Sequence, residues 1–385
     1  MKWLFIAAEC PWPIIHGRWL RVYHLARTLA ARGERVDVHC CLPTAEGIEA
    51  YGKVGVGMVV GIGRKHVDRG RALHRFSMFA HDEDFGLSIA RQTPGYDVVV
   101  LCGSRVLQYA EQVDRTCKIL FDMVDDSFLE FARRKQTGRT GLRERLRLFK
   151  NRLGKVNLER DALRFVDYTS FVSREDCTSF NARHPRHHTL LVPNGVDVGF
   201  FAPPADVPPV AAEGPTVVFT GHMSNPNNEL AATWLVQEIA PLIWKGRPDV
   251  LIQLVGAEPS AALRALASER VAVTGRVEDI RPYLWNAGVI LLSMKSGTGI
   301  KNKLLEAWAA NAPVVATPLA CQGVPAENGA NLLLGNSPEE LARATCELLA
   351  NRGKRQALAD RGRETVVREL TWGAAAARLN AAFGG

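Results

Sequence analysis

The sequence of 385 residues lacks several features that would assign it at once to a broad class of protein. Its eight cysteines contain no CxxC pair, and most of them stand in apolar stretches. This pattern favours reduced, buried thiols in a cytosolic protein over disulfides or a bound metal. No apolar run approaches the roughly 20 residues that cross a bilayer. The short run after Met1 soon meets Glu9 and two prolines, so we expect a first buried strand there and not a signal peptide.

A dinucleotide-binding fingerprint is also missing. No glycine-rich phosphate loop follows the first predicted strand, at residues 2–8. Residues 55–61 contain three glycines, but the last spacing is wrong and valines flank them, which predicts a strand that contains glycine. A dehydrogenase is therefore a remote interpretation.

Length and charge narrow the possibilities further. A chain of this length with 47% hydrophobic residues suits two domains with sizeable cores. The net charge of +8 indicates acidic partners: nucleotide phosphates, lipid phosphates or nucleic acid. Predicted strands alternate with amphipathic helices, beginning with the helix at 18–32, so we predict an α/β fold. Five prolines within 200–215 mark a linker between the domains.

One stretch is organised as a binding loop. Residues 296–313 read SGTGIKNKLLEAWAANAP and lie between two hydrophobic runs, 288–293 and 313–316. This order predicts strand, glycine loop, helix and strand in a parallel sheet. The buried side of the helix is predicted to consist of four apolar residues, Leu304, Leu305, Ala307 and Trp308.

The chemistry of this stretch suits a phosphate. A glycine loop that leads into a helix N terminus offers unpaired N–H groups and the positive end of a dipole. Lys301 and Lys303 add full charges at that point, and Glu306 can accept hydrogen bonds from sugar hydroxyls. The stretch therefore predicts a seat for the diphosphate of a nucleotide sugar.

The pattern G-x-x-x-K-x-x-E-A-x-A-x-x-x-P-V-V-A at 299–316 resembles the donor-binding signature of GT-B glycosyltransferases. It is most similar to glycosyltransferase family 4, and within it to the bacterial sugar transferases of exopolysaccharide clusters. Other pieces fit in the same order: VPNGVD at 192–197, VFTG at 218–221 and VTGRV at 273–277. The resemblance covers most of the chain and is strongest from about 194 to 315.

The resemblance implies a GT-B fold, in which two Rossmann-like domains face each other across a cleft. It implies an acceptor-binding domain at 1–203, a donor-binding domain at 214–370 and a C-terminal helix at 371–385 that crosses back to the first domain. The implied activity moves a sugar from a UDP- or GDP-sugar to a glycan or a polyprenyl-phosphate-linked acceptor in surface polysaccharide synthesis. Retention of configuration and a cytoplasmic location, with the inner membrane face as an option, belong to the same expectation.

The resemblance also implies the residues of the site. Those expected to bind the donor are Gly221, His222, Asn225, Arg276, Val277, Gly297, Thr298, Gly299, Lys301, Lys303 and Glu306. Lys303 is also expected to act in catalysis, by stabilising the departing diphosphate. No Asp-x-Asp motif convincingly follows a predicted strand. We therefore expect lysines and a helix N terminus to replace a metal ion, and we predict no metal and no cofactor.

Carboxylates mark the end of the strand predicted at 117–124. Asp122, Asp125 and Asp126 stand there, and strand ends line the binding crevice of an open α/β sheet. We predict that Asp125 and Asp126 take part in catalysis and that Asp125 also contacts the acceptor. The alternative is that Asp126 or Asp125 caps the next helix.

The chain departs from the family pattern at three places. Thr298 occupies the position of the first of two glutamates, and Glu306 matches the second. The Arg and Lys that many members carry after the glycine equivalent to Gly221 are absent. His16 and Gly17 stand where members often have a Gly-Gly pair in the loop after the first strand. These two are still expected to contact the acceptor, unless Gly17 is only a turn glycine.

Two other functions stay open. A GT-B nucleotide-sugar epimerase would release free sugar without an acceptor. A non-catalytic GT-B-like partner subunit, which the departures from the pattern make conceivable, would bind neither UDP nor GDP.

The segment Arg133–Arg164 is the most basic part of the chain, with twelve Lys or Arg residues against three acids. Apolar residues recur in it at helical spacing, which predicts a basic amphipathic helix that attracts anionic lipid headgroups. A solvated helix packed by its apolar side is the alternative. Aromatic platforms and base-reading motifs are missing, so no nucleic-acid partner is predicted.

Overall fold

The chain forms two compact units, each built on one parallel sheet. The first unit contains Met1–Pro193 and the segment that begins at Trp372, and the second contains Asn194–Thr371. This computed structural model describes residues 1–14, 17–61, 81–126, 128–129, 153–207 and 214–384.

Residues 194–203, assigned above to the first domain, pack with the second unit instead. The Asn194 side-chain amide donates to Asn302 Oδ1 at 3.0 Å. The backbone N–H of Val196 donates to the Leu370 carbonyl at 2.9 Å. These hydrogen bonds join the segment to the second unit, so the first unit ends at Pro193 and not at residue 203.

The first sheet has seven strands in the order β3-β2-β1-β4-β5-β6-β7, and every neighbouring pair is parallel. Both faces of its central strands are covered, which explains why β4 and β5 are nearly continuous hydrophobic runs. The strand order reverses between β1 and β4, as in a doubly wound fold. The strands are β1 Lys2–Ala7, β2 Arg35–Cys41, β3 Gly57–Gly61, β4 Val98–Cys102, β5 Lys118–Val124, β6 Tyr168–Phe171 and β7 His188–Leu191.

Helices surround this sheet, and side-chain caps set where several of them begin. Thr44, Asp82 and Ser173 each accept a hydrogen bond from a backbone N–H of the following first turn. The helices of this unit are Gly17–Ala31, Ala45–Gly52, Glu83–Gln92, Ser104–Leu107, 153–162, Arg174–Arg183 and Trp372–Phe383, with 3₁₀ turns at Ala110–Gln112 and Leu163–Phe165.

The last helix belongs to the core of the first unit. The Trp372 ring stacks on His24 with centroids 5.0 Å apart, and Phe383 meets the Trp3 ring edge-on at 5.6 Å. Ala376 and Leu379 are buried against the same core. The predicted return of the C-terminal helix to the first unit is therefore confirmed.

The second sheet has six parallel strands in the order β10-β9-β8-β11-β12-β13. Its strand order reverses between β8 and β11, so the carboxyl ends of these two strands flank a crevice where α/β folds bind ligands. The strands are β8 Thr216–Thr220, β9 Leu251–Val255, β10 Val271–Gly275, β11 Val289–Leu292, β12 Val314–Ala316 and β13 Leu333–Leu334.

Helices connect the strands of the second sheet in crossover fashion. They are Pro226–Trp234, which continues through a π-helical turn at Leu235–Ile239 into Ala240–Gly246, then Ala261–Arg264, Arg281–Trp285, Asn302–Ala309, Pro338–Ala350 and Arg352–Glu369, with a 3₁₀ turn at Pro318–Cys321. The four apolar residues predicted to form the buried side of Asn302–Ala309 are fully buried.

Two further sequence predictions can be placed. The glycine-containing run at 55–61 forms strand β3, as expected. The basic segment Arg133–Arg164 lies mostly outside the described residues, which resume at 153 and continue as a helix to 162. Among the residues that are described, no helix is both long and apolar enough to cross a membrane.

Candidate functional site

The candidate site lies at the reversal of strand order in the second sheet. Two loops meet there: residues 221–225 follow β8, and residues 293–301 follow β11. Because β8 and β11 are parallel neighbours, the loops leave the sheet side by side. The helices that begin at Pro226 and Asn302 therefore present their N termini to the same crevice.

The glycine loop after β11 is held in place by two polar anchors. Gly297 and Gly299 have φ angles of +109° and +65°, a region that favours glycine. The Ser296 hydroxyl donates to Asn227 Oδ1 at 2.6 Å. The Lys301 ammonium donates back to the carbonyls of Thr298 and Gly299 at 2.6 and 2.8 Å. Lys301 thus braces the loop through the backbone.

The helix Asn302–Ala309 begins immediately after this loop. Lys301 is its N-cap residue and forms no side-chain cap. The N terminus of the helix therefore keeps backbone N–H groups and the positive dipole end directed at the crevice, which suits an anion.

Lys303 lies in the first turn of this helix, and its ammonium has mostly apolar neighbours. The Nζ atom is 4.3 Å from the centroid of the Phe219 ring and 4.0 Å from Met294 Sδ. It donates a hydrogen bond to Asn228 Oδ1 at 2.7 Å. The side chain thereby connects the helix after β11 to the helix after β8.

Burial changes the acidity of both charged groups on this helix. It lowers the pKa of Lys303 from 10.5 to about 7, with Glu306 opposing this shift and Lys301 adding to it. Burial also raises the pKa of Glu306, against the effect of Lys303. An anion bound beside Lys303 would favour the ammonium form and offset its desolvation.

Gly221 lets the two loops come together. A Cβ atom at this position would lie 2.8 Å from Asn228 Nδ2 and 3.0 Å from Lys303 Nζ. The neighbouring Gly256, after β9, is equally constrained, because its Cβ would lie 1.8 Å from the Gly221 carbonyl oxygen. The predicted place of Gly221 at the crevice thus has a steric basis: any side chain would displace the lysine.

The structure gives His222 and Asn225 local partners. His222 Nδ1 lies 2.9 Å from the Ser224 hydroxyl, and its ring stays partly exposed. Asn225 is the N-cap of the helix Pro226–Trp234, where its Oδ1 accepts from Asn227 N at 2.9 Å. Asn225 thus shapes the loop, and its side-chain oxygen is already used.

Arg276 and Val277 follow β10, two strands from β8. Arg276 is exposed and Val277 half-buried. Their loop leaves the same carboxyl edge of the sheet as the loops after β8 and β11, since all these strands are parallel. One edge therefore carries every candidate donor residue.

Sequence reasoning missed the roles of Asn227 and Asn228. Both follow Pro226 in the first turn of a helix, and each fastens this turn to the loop or helix after β11. The run Asn-Pro-Asn-Asn was visible in the sequence, but nothing in it pointed to Ser296 or Lys303 as partners.

In the first unit, two of the three carboxylates at the end of β5 form buried ion pairs with arginines. Asp122 receives hydrogen bonds from the Arg21 guanidinium at 2.9–3.1 Å and from Ser170 at 2.6 Å. Asp126 is fully buried, and Arg183 donates to both of its oxygens at 2.8 and 2.9 Å.

These contacts support the capping alternative for Asp126, and its part in catalysis stays a prediction. Its Oδ1 also accepts from the backbone N–H of Phe128 at 3.1 Å, which agrees with the capping alternative. A carboxylate with no exposed surface and a bidentate arginine partner is costly to unpair, so this pair contributes to the stability of the fold.

Asp125 differs from its neighbours because it is only half-buried, beyond the carboxyl end of β5. The preceding Val124 has a φ angle of +71°, which is strained for a β-branched residue. Gly17 is the first residue of the helix Gly17–Ala31 and is exposed. His16 lies outside the described residues. Roles for Asp125, Gly17 and His16 stay predictions.

The donor atoms of the site are lysine, amide and backbone groups. In the parts of the chain that the structure describes, no cluster of three or more His, Cys, Asp or Glu side chains is arranged to hold a metal ion.

Comparison with known proteins finds a family match in the second unit. Residues 214–351 match the family described as glycosyl transferases group 1. The chain is 32% identical over 180 residues to the lipopolysaccharide core biosynthesis glycosyltransferase LpsE of Rhizobium meliloti, which covers 44% of this chain and 47% of that protein. The matched region thus spans about half the length of this curated relative.

Solved structures match over the whole chain. HepE from Anabaena, in complex with UDP and glucose, superimposes with a TM-score of 0.71 and 16% identity, covering 100% of both chains. WaaG, a glycosyltransferase involved in lipopolysaccharide biosynthesis, gives a TM-score of 0.66 and 15% identity, also over 100% of both chains. The chain therefore has the fold of GT-B glycosyltransferases, and its second unit carries the match to glycosyl transferases group 1.

Proposed function

We propose that the protein is a glycosyltransferase that transfers a sugar from a nucleotide-diphosphate sugar. One observation carries the proposal: Lys303 stands at an uncapped helix N terminus, beside a glycine loop, at the reversal of strand order. This arrangement places the Lys303 ammonium and a helix N terminus where a diphosphate would gain negative charge as it leaves.

The donor would lie along the carboxyl edge of the second sheet. Its diphosphate is assigned to the N terminus of Asn302–Ala309, and Glu306, on the same helix face as Lys303, is assigned to hydroxyls of the ribose. The half-buried Glu306 carboxylate forms no hydrogen bond with the described residues, so it can accept from a ligand. The nucleobase would lie near Arg276 and Val277.

UDP- and GDP-sugars are the proposed donors, and HepE was solved with UDP and glucose. We further propose that the enzyme is of the family 4 type, retains configuration and needs no metal or other cofactor, since lysine and backbone N–H groups can stabilise the leaving diphosphate.

The acceptor is assigned to the first unit, near Asp125 and Gly17, the first residue of the helix Gly17–Ala31. We propose a glycan or a polyprenyl-phosphate-linked saccharide in surface polysaccharide synthesis, of lipopolysaccharide or exopolysaccharide type. The support is the relationship to LpsE, whose name includes lipopolysaccharide core biosynthesis. With such an acceptor, the enzyme would work in the cytoplasm, peripherally at the inner membrane face through Arg133–Arg164.

A thermal-shift screen of nucleotide sugars followed by a transfer assay tests this function. A bound donor raises the melting temperature, and the rise grows with the logarithm of the ratio of its concentration to its Kd. The expected result is stabilisation by one nucleotide series, and sugar transfer only when an acceptor is present. Release of free sugar without acceptor would favour the epimerase, and no stabilisation by any nucleotide would favour a non-catalytic partner.

A further inference from the structure

Three asparagines in the turn after β8 have different tasks. Asn225 caps its own helix, and Asn227 accepts a hydrogen bond from Ser296 in the glycine loop. Asn228 is the one whose side chain contacts a charged group, the Lys303 ammonium. A task for Asn228 rests on the proposed function, because Lys303 is the lysine assigned to the diphosphate.

The position of the Asn228 amide is fixed by the backbone. Its Nδ2 donates to the carbonyl of His222 at 2.9 Å. A carbonyl can only accept, so the amide nitrogen must face His222 and the amide oxygen must face Lys303. The close approach permitted by Gly221 holds both side chains at this spot.

Asn228 Oδ1 is the only oxygen that receives a hydrogen bond from Lys303 Nζ among the described residues. Phe219 and Met294 offer only an aromatic face and a weakly accepting sulfur. An ammonium has three N–H donors, so the bond to Asn228 and the weak one to Met294 Sδ orient the group and leave one donor for an incoming anion.

We propose that Asn228 is a positioning residue that keeps Lys303 in its charged form and directed at the phosphate of the donor. A hydrogen-bond acceptor beside an ammonium favours the charged state, and this matters most where burial opposes it. The charged groups that act on Lys303 are Glu306, which stabilises the ammonium, and Lys301, which repels it. Asn228, Phe219 and Met294 are uncharged.

The proposal predicts how the pKa of Lys303 changes in a series of Asn228 variants. Asn228→Ala removes the acceptor and should lower the pKa of Lys303 below about 7, whereas Asn228→Asp adds a carboxylate and should raise it. A lysine is charged below its pKa. Binding that needs the ammonium should therefore weaken at the lowest pH in Asn228→Ala, at a higher pH in the wild type and at the highest pH in Asn228→Asp.

The first test measures the affinity for UDP by titration calorimetry between pH 5 and 10. We expect the midpoint of affinity loss to fall by about half a pH unit or more in Asn228→Ala and to rise by at least one unit in Asn228→Asp. Asn227→Ala is the matched control, because it removes an amide from the same turn that does not contact Lys303. It should weaken binding at every pH without moving the midpoint.

The second test observes Lys303 in the free protein. NMR of ¹³Cε-labelled lysine, assigned with Lys303→Arg, gives its titration midpoint in the wild type and in both Asn228 variants. Midpoints that rise in the order Asn228→Ala, wild type and Asn228→Asp support the proposal even if UDP does not bind. Failure of UDP to bind would count against the proposed function alone. Equal Lys303 midpoints in all three proteins would overturn the proposal about Asn228. The same shift of the midpoint in Asn227→Ala as in Asn228→Ala would also overturn it.

Discussion

Removing the Lys303 ammonium is the sharpest perturbation of the proposed donor site. Lys303→Met keeps an unbranched side chain of similar length that can still pack on Phe219, and it deletes only the charge and its donors. Lys301→Met is a matched control, because it removes a neighbouring ammonium that binds the carbonyls of Thr298 and Gly299.

The expected loss of kcat/KM in each variant follows from the different contacts of Lys303 and Lys301. A preorganised donor that stabilises charge on a leaving group contributes about 2–4 kcal/mol in the transition state. Its loss should lower kcat/KM roughly 30- to 900-fold in Lys303→Met. Lys301→Met loses only hydrogen bonds that brace a loop, about 1 kcal/mol, so a reduction of about tenfold or less is expected.

The assay measures nucleotide release with the donor found by thermal shift, at a pH below 7 where Lys303 is charged. The double variant Lys303→Met/Glu306→Gln controls for a Glu306 carboxylate left without its counter-charge, and it should stay as inactive as the single variant. Activity of Lys303→Met within threefold of the wild type would refute the assignment, as would recovery in the double variant.

Three further predictions address other parts of the account. Glu306→Gln should weaken nucleotide binding with little change in melting temperature, measured by calorimetry and circular dichroism; a lower melting temperature with unchanged affinity would make Glu306 structural. Asp126→Asn should destabilise the protein by about 3 kcal/mol in denaturant unfolding, because it breaks a buried ion pair, and should leave UDP affinity unchanged; wild-type stability with lost transfer would restore Asp126 to catalysis. The protein should sediment with anionic vesicles at low salt and be released at high salt, and equal sedimentation with neutral vesicles would contradict this. Replacing three basic residues by glutamate should abolish the sedimentation without changing nucleotide binding. These residues are Arg143, Arg147 and Lys150.

The local pattern of the sequence was enough to predict the glycine loop after β11 and the elements around it. Hydrophobic runs at 288–293 and 313–316 bracket two glycines and a lysine-rich helix start, and strand, loop, helix and strand follow that order in the structure. These features are local, because backbone conformation and amphipathic spacing are set within a few residues. Lys303 was singled out by its place at the start of the helix and by the resemblance to the family signature.

Features that depend on distant partners could not be predicted in the same way. Asp126 looked like a catalytic acid at a strand end, but Arg183, 57 residues away, neutralises it in the interior. Asn228 looked like one polar residue in a turn, and its contact with Lys303 joins positions 75 residues apart. Both contacts are side-chain pairs between elements that are distant in the sequence, so a local sequence pattern does not reveal them.

Binding of a nucleoside diphosphate to the second unit is the central claim, and titration calorimetry of UDP and GDP into the wild-type chain and Lys303→Met tests it most directly. We predict that one of the two nucleotides binds the wild type with one site per chain and that Lys303→Met binds it at least tenfold more weakly. Failure of both nucleotides to bind the wild type, or equal affinity in the variant, would contradict the account.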